Sequence, residues 1–105
     1  MKMIIAVVNI GDAANVNKAL IESGFKATRM STIGAFFKGR NETFLIGIND
    51  EKVPTAINLI EKAIPKKKRL KVVAVDDNKF DTVNNLSIES NATIFVLNVD
   101  MFLKV

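Results

Sequence analysis

Apolar runs rich in Ile and Val alternate along this chain with segments whose apolar residues recur at helical spacing. The runs predict four β-strands, because β-branched residues bounded by glycine or polar turns favour strands. These strands cover residues 3–10, 25–32, 42–48 and 92–99. The helical spacing predicts one helix over residues 13–23 and a second helix between the third strand and the last one.

Residues that favour helix ends mark the limits of both helices. Asp12 is the predicted N-cap of the first helix, and Gly24 is its predicted C-terminal stop. Asn49 or Asp50 caps the second helix. That helix ends before Pro65, because proline disfavours the helical conformation in the residue that precedes it.

The remaining stretches have weaker patterns. A turn over residues 34–41, with the sequence GAFFKGRN, joins the second and third strands. The segment between the second helix and the last strand opens with a basic run at residues 66–69. Candidate strands follow at residues 70–75 and 83–88 in a polar context. Residues 101–105 form an apolar tail.

The order of these elements, strand–helix–strand–strand–helix–strand, predicts a single α+β domain over residues 1–105 with the ferredoxin-like βαββαβ plan. Two helices can cover only one face of such a sheet. Residues 4–8 and 94–97 are nonetheless apolar at successive positions, which indicates strands that are buried on both faces. A free apolar face of that size needs a partner, so we expect a homo-oligomer whose sheets pack around a shared centre.

The amino-acid composition limits the kinds of chemical site that this chain can form. The 105 residues include no cysteine and no histidine, which removes disulfides, zinc–thiolate sites and the commonest general base. We therefore expect a binding protein and not an enzyme, with no metal and no cofactor. The net charge of +4 suits anionic partners such as nucleotides. Neither a signal peptide nor an apolar stretch of the ~20 residues needed to span a membrane is visible, which favours a cytoplasmic protein.

Three stretches of the chain, MKMIIAVV, FKATRMSTIGAFFKGRNETFLIGIND and ATIFVLNVDMF, resemble the PII-like cyclic di-AMP receptor proteins of Gram-positive bacteria. The resemblance covers nearly the whole chain, apart from about residues 66–91. It implies a homotrimer without catalytic activity that binds one cyclic di-AMP in each cleft between neighbouring subunits. It further implies a signal-transduction role, in which ligand binding changes loop conformation so that the trimer engages a downstream protein partner.

The resemblance also implies a set of ligand-binding residues. The family's F-R-A-T segment, which supplies an arginine and a threonine near the ligand, reads FKAT here. The family's T-G-G-F segment reads IGAF here, with an aromatic ring that stacks on an adenine. A later asparagine contacts the ligand, and a glycine in the third strand lets the ligand approach the backbone. The implied ligand-binding residues are Lys26, Thr28, Gly34, Phe36, Phe37, Asn41 and Gly47.

The chain departs from the family pattern at Lys26 and at several positions outside this set. Lys26 replaces an arginine, so that a bidentate fork becomes a point charge. Gly24 stands where an asparagine is usual, and Ala35 replaces a glycine. Residues 66–91 lack the Gly- and Pro-rich character of the family's long loop. These differences concern the ligand more than the fold, and they keep open a PII-like trimer that senses a different ligand.

Two other functions are compatible with the same fold. An RNA-binding module of the RRM type would stack bases on aromatic residues of the central strands, and the predicted third strand offers only Phe44. The basic run at residues 66–69 is more typical of a solvated surface than of a nucleic-acid footprint. An acylphosphatase would need an arginine in the loop after the first strand, where the chain reads NIGDAAN.

Overall fold

The computed structural model of this chain describes residues 1–33, 40–65 and 92–105. A short 3-10 helix, Asp50–Lys52, precedes the second α-helix. The predicted basic run and the two candidate strands between residues 66 and 91 lie outside the described residues. The other elements, in chain order, are β1 (Lys2–Asn9), α1 (Ile10–Glu22), β2 (Thr28–Thr32), β3 (Asn41–Ile48), α2 (Val53–Ala63) and β4 (Ala92–Asn98).

The four strands form one antiparallel sheet in the order β2-β3-β1-β4. The register places Ile4 of β1 opposite Ile46 of β3 and Val96 of β4. The predicted α+β class and the predicted order of strands and helices are confirmed. The sheet order is compatible with the ferredoxin-like plan, in which the first and third strands are central.

The hydrophobic core lies between the two helices and one face of the sheet. Side chains at alternate positions of a strand point to the same face, and the core takes the even-numbered residues of β1 and β3. A large-to-alanine substitution in such a core costs about 2–5 kcal/mol. The fully buried apolar residues of this core are Ile4, Ala6, Val8, Phe44, Ile46, Ala13, Val16, Leu20, Ala56 and Ile60.

The opposite face of the sheet, here called the open face, carries the odd-numbered residues of β1, β3 and β4. None of the described helices packs on it. Phe95 and Leu97 on this face are 43% and 48% exposed. The face therefore combines a strongly apolar surface with the absence of a covering layer in the part of the chain that the structure describes.

The predicted start of the first helix is wrong by three residues. The helix begins at Ile10 and not at residue 13, and Asp12 lies inside its first turn. Asn9 occupies the N-cap position without a side-chain capping hydrogen bond. The Ile10 N–H instead donates to the carbonyl of Arg40 at 3.1 Å. β1 thus runs directly into α1, and a backbone contact with the segment before β3 replaces the expected cap.

The predicted end of α1 is confirmed, and its geometry explains why β2 begins later than expected. Gly24 has φ +84°, and its N–H donates to the carbonyl of Ile21 at 3.0 Å. The Phe25 N–H donates to the carbonyl of Leu20 at 2.9 Å. These two bonds form the Schellman motif that commonly ends helices. Since the Phe25 N–H is engaged by the helix, the strand starts at Thr28 and not at residue 25.

Contacts of the first two residues join three parts of the fold. The carbonyl of Met1 accepts a hydrogen bond from the Val99 N–H at 3.1 Å. The α-amino group of Met1 lies 3.0 Å from Oδ1 of Asp50, and Nζ of Lys2 lies 4.0 Å from Oδ2. The hydrogen bond from the α-amino group lowers the pKa of the Asp50 carboxyl from its ordinary value of 3.8, and the charges of that group and of Lys2 act in the same direction.

Two glycine substitutions should change stability in opposite directions. We expect Gly24→Ala to destabilise the protein by about 1 kcal/mol, because the left-handed conformation is strained for a residue with a Cβ. An added Cβ would meet no atom within 4 Å at either Gly24 or Gly11, so steric clash does not contribute. Gly11→Ala lies inside α1 and should stabilise the protein by about 0.5 kcal/mol. Urea unfolding at one fixed protein concentration measures both changes, and a neutral Gly24→Ala would contradict the assignment.

The carboxyl of Asp50 should titrate below 3.8 in the folded protein. Because the folded pKa is lower than the unfolded pKa, the ion pair contributes its full stabilisation at pH values above the unfolded pKa. The contribution is lost as the pH falls through the folded pKa. Carbon-13 NMR of the side-chain carboxyl measures the midpoint. Acetylating the α-amino group removes the charged partner and should move the midpoint upward. A midpoint at or above 3.8 in the unmodified protein would show that the ion pair does not persist in solution.

Candidate ligand-binding groove

A groove of about 470 Å³ lies at the edge of the open face where β1 begins and β3 ends. Two segments outside the sheet form its walls: the residues just before β2, and the chain that follows β4. The walls and floor together present both apolar and cationic side chains. The groove is lined by Met1, Met3, Lys26, Ala27, Thr28, Leu45, Gly47, Val99, Phe102 and Lys104.

The strand register explains why residues distant in sequence meet in this groove. Thr28 of β2 lies opposite Leu45 of β3, and Met3 of β1 lies opposite Gly47. All four side-chain positions face the same side of the sheet, because residues paired across strands share a face. Lys26 is placed next to them by the turn that ends α1. The floor of the groove is therefore a direct consequence of the pairing of three strands.

Gly47 keeps the floor of the groove open because it has no side chain, and its backbone conformation does not require glycine. It has no positive φ, and a Cβ built on it would meet no atom within 4 Å. Neither the backbone nor the packing of this chain requires glycine at that position. Its effect is on the groove itself, since the missing side chain leaves the backbone of β3 accessible. Gly24 differs in this respect, because its conformation demands glycine.

The groove is positively charged. Lys26 and Lys104 line it, and no carboxylate is among the lining residues. Within the described part of the chain, neither lysine is a member of a salt bridge. Two unpaired ammonium groups on a partly apolar groove favour a ligand that combines negative charge with ring systems. Phosphate-bearing nucleotides have this combination, with charge-assisted hydrogen bonds to phosphate oxygens.

The residues predicted for the site do not all meet in this groove. Lys26, Thr28 and Gly47 line it together. Asn41 begins β3, whereas Gly47 lies near its end, so the two are about 20 Å apart at the usual rise along a strand. The predicted contacts Gly34, Phe36 and Phe37 lie outside the described residues.

Asn41 lines a second cavity at the other end of the open face, here called the Asn41 cavity. The residue is only 1% exposed, and its side-chain amide has no hydrogen-bond partner among the described residues. A buried unpaired amide costs about 1–3 kcal/mol, so such a group calls for a partner such as water, an ion, a ligand or another chain. The Asn41 cavity measures about 460 Å³ and is lined by Ile5, Val7, Thr32, Ile33, Asn41, Thr43, Phe95 and Leu97.

The other seven lining residues of the groove were not predicted by the sequence analysis, and two of them lie in residues 101–105. Phe102 and Lys104 belong to the segment described there only as an apolar tail, yet both line the groove. The segment has no regular secondary structure after β4, so no periodic pattern could place it. The single signal in the sequence is a lysine inside an otherwise apolar stretch.

Two further searches concern other classes of function. Over residues 1–33, 40–65 and 92–105, no helix has the length and hydropathy needed to cross a membrane. In the same ranges, no three metal-ligating side chains of the His, Cys, Asp or Glu type are grouped together.

Comparisons with known proteins agree with the resemblance seen in the sequence. A crystal structure of a functionally unknown protein from Pediococcus pentosaceus ATCC 25745 is similar to this chain, with a TM-score of 0.71 and 32% sequence identity. The match covers 99% of this chain and 96% of that one. The family model described as cyclic-di-AMP receptor matches residues 1–105, the whole chain. The chain therefore belongs to the cyclic-di-AMP receptor family.

Proposed function

We propose that this chain is a non-catalytic receptor that binds cyclic di-AMP in clefts between the subunits of a homotrimer. Binding would change the conformation of loops and so regulate a downstream protein in the cytoplasm. Membership of the receptor family supplies the ligand class. The observation that carries the inter-subunit part is the separation of Asn41 from Gly47 along β3.

To contact both Asn41 and Gly47 of one subunit, a single dinucleotide would have to span about 20 Å along β3. Contacts from two different subunits would allow both residues to bind one ligand over a shorter distance. A ring of subunits related by rotation joins one surface of each chain to a different surface of the next. Such an arrangement would bring the Asn41 cavity of one subunit to the groove of its neighbour.

The open face supports the trimer. Its exposed Phe95 and Leu97 lie on the same side of the sheet as Ile5 and Leu45. An apolar face without a covering layer marks an interaction surface in soluble proteins. Packing this face against two further copies would remove it from water. The same packing would bring the two ends of neighbouring β3 strands toward each other.

The charges and rings of the ligand have counterparts in this chain. Each of the two phosphodiesters carries one negative charge, and the groove presents the ammonium groups of Lys26 and Lys104. By the family resemblance, the ring of Phe36 stacks on an adenine, which contributes about 1–3 kcal/mol per base. Binding needs no general base and no metal, in keeping with a chain without histidine or cysteine.

Two alternatives differ in ligand. A PII-like trimer that senses another ligand is favoured by Lys26, which provides a point charge where the family pattern has an arginine fork. An RNA-binding module is disfavoured by Phe44, which is fully buried against the helices and cannot stack on a base. The binding and assembly experiments that follow distinguish both alternatives from the proposal.

Cyclic di-AMP should bind with a stoichiometry of about one per subunit, as expected for equivalent clefts in a closed ring. Isothermal titration calorimetry measures this, with ATP and cyclic di-GMP as controls for nucleotide specificity. Phe36→Ala should abolish or strongly weaken binding, since a stacking contact is lost. A folded oligomer that does not bind cyclic di-AMP would favour the PII-like trimer with a different ligand.

Subunit mixing tests whether the site is shared between chains. Lys26→Ala and Asn41→Ala should each weaken binding when present in every subunit. Refolding the two variants together at equal amounts should restore about one intact cleft in four, since each cleft then draws its two walls from different chains. The same variants mixed without refolding provide the control. No recovery in the refolded mixture would place both residues in a site within one chain, or outside the site.

The protein should sediment as a trimer, and Leu97→Lys should dissociate it. The substitution places a charge on the open face, where desolvation without a partner is costly. Ile21→Lys is the matched control, because Ile21 is 59% exposed on α1 and away from that face. Analytical ultracentrifugation measures both variants. A wild-type monomer would instead favour the RNA-binding alternative.

A further inference from the structure

A second, more polar cavity adjoins the groove. It measures about 270 Å³ and shares Met1, Lys26 and Gly47 with the groove, so the two spaces lie side by side with Lys26 between them. None of the ligand contacts implied by the family resemblance accounts for the rest of it. We call this space the side cavity; its other lining residues are Ser23, Gly24, Phe25, Ile48, Asn49 and Lys52.

The side cavity has the charge of an anion site. Lys26 and Lys52 line it, and no carboxylate does. Three acidic residues, Glu22, Asp50 and Glu51, are adjacent in sequence to lining residues, but none of them lines the cavity. Asp50 directs its carboxylate to the α-amino group of Met1 and to Lys2. Lys52 forms no salt bridge within the described part of the chain. Two ammonium groups in one small cavity repel each other unless an anion lies between them.

The neutral lining groups can also serve an anion. Asn49 lines the cavity, and the NH2 group of its side-chain amide is a hydrogen-bond donor. The hydroxyl of Ser23 lies on the same lining. Gly24 presents backbone and no side chain at this wall, because the turn requires its positive φ. The cavity thus offers ammonium, amide and hydroxyl donors, the groups that bind phosphate oxygens.

We propose that the side cavity binds a terminal phosphate monoester of a ligand that occupies the groove, so that the protein also accepts the linear form of the dinucleotide. This inference rests on the proposed function, because it takes the groove as the dinucleotide site. Hydrolysis of one phosphodiester opens the cyclic dinucleotide and leaves a terminal phosphate of about two negative charges. The intact ring has no such group and leaves the side cavity empty.

The test compares three ligands: cyclic di-AMP, the linear adenine dinucleotide with a 5′ phosphate, and the same linear dinucleotide without it. Wild-type protein should bind the phosphorylated linear form up to about fivefold more tightly than the unphosphorylated one, the upper end of the range expected for an exposed charge pair. Lys52→Gln should remove this preference and leave the affinity for cyclic di-AMP unchanged.

Lys62→Gln is the matched control. It makes the same charge change on an exposed lysine in the last turn of α2, outside both cavities, and should keep the full preference. An equal effect of Lys52→Gln on all three ligands would overturn the inference, because it would indicate a general field effect. Binding of cyclic di-AMP with no preference for the terminal phosphate would overturn the inference and leave the proposed function standing. Failure of all three ligands to bind would overturn both.

Discussion

Pairing of β3 with both β1 and β2 is the constraint on which the rest of the structure depends. Alternate residues of these strands point to opposite faces, so each strand must satisfy two environments at once. One face is closed by α1 and α2 around Phe44 and Ile46. The other face is apolar and also carries the groove and the Asn41 cavity. The core, the open face and the groove are thus set by one register, and a shift of one residue would exchange the two faces.

Gly24 and Gly47 lie near the groove, and the absence of a side chain has a different consequence at each of them. Gly24 is required by the backbone, because the turn that ends α1 uses the left-handed conformation. Gly47 has ordinary conformation and free space around it, so its lack of a side chain serves only the groove. Lys26 follows Gly24 closely, and the turn therefore fixes where its charge is placed. A structural requirement of the helix end thereby positions a residue of the site.

The sequence was sufficient for the α+β class and the order of elements, because Ile- and Val-rich strands and apolar residues at helical spacing have strong periodic signals. It was sufficient for the family because three stretches of the chain match the family's motifs. It misplaced the start of α1, because the Ile10 contact with Arg40 is formed between segments distant in sequence. It also missed Lys104, since the segment after β4 has no period that would locate it against the groove. By contrast, the distance between Asn41 and Gly47 could be predicted from the sequence, because Asn41 directly precedes the predicted third strand and Gly47 lies near the end of that strand.

The proposed division of the site between the two ends of β3 would have consequences for sensing. A ligand that contacts two subunits binds only the assembled form, so by mass action it stabilises the assembly as well as its own cleft. The buried amide of Asn41 has no hydrogen-bond partner among the described residues, which is costly. A group of a neighbouring subunit or of a ligand that bonded to it would offset that cost. Under the proposed function, this coupling between binding and assembly would be a physical means by which a small ligand changes a surface seen by another protein.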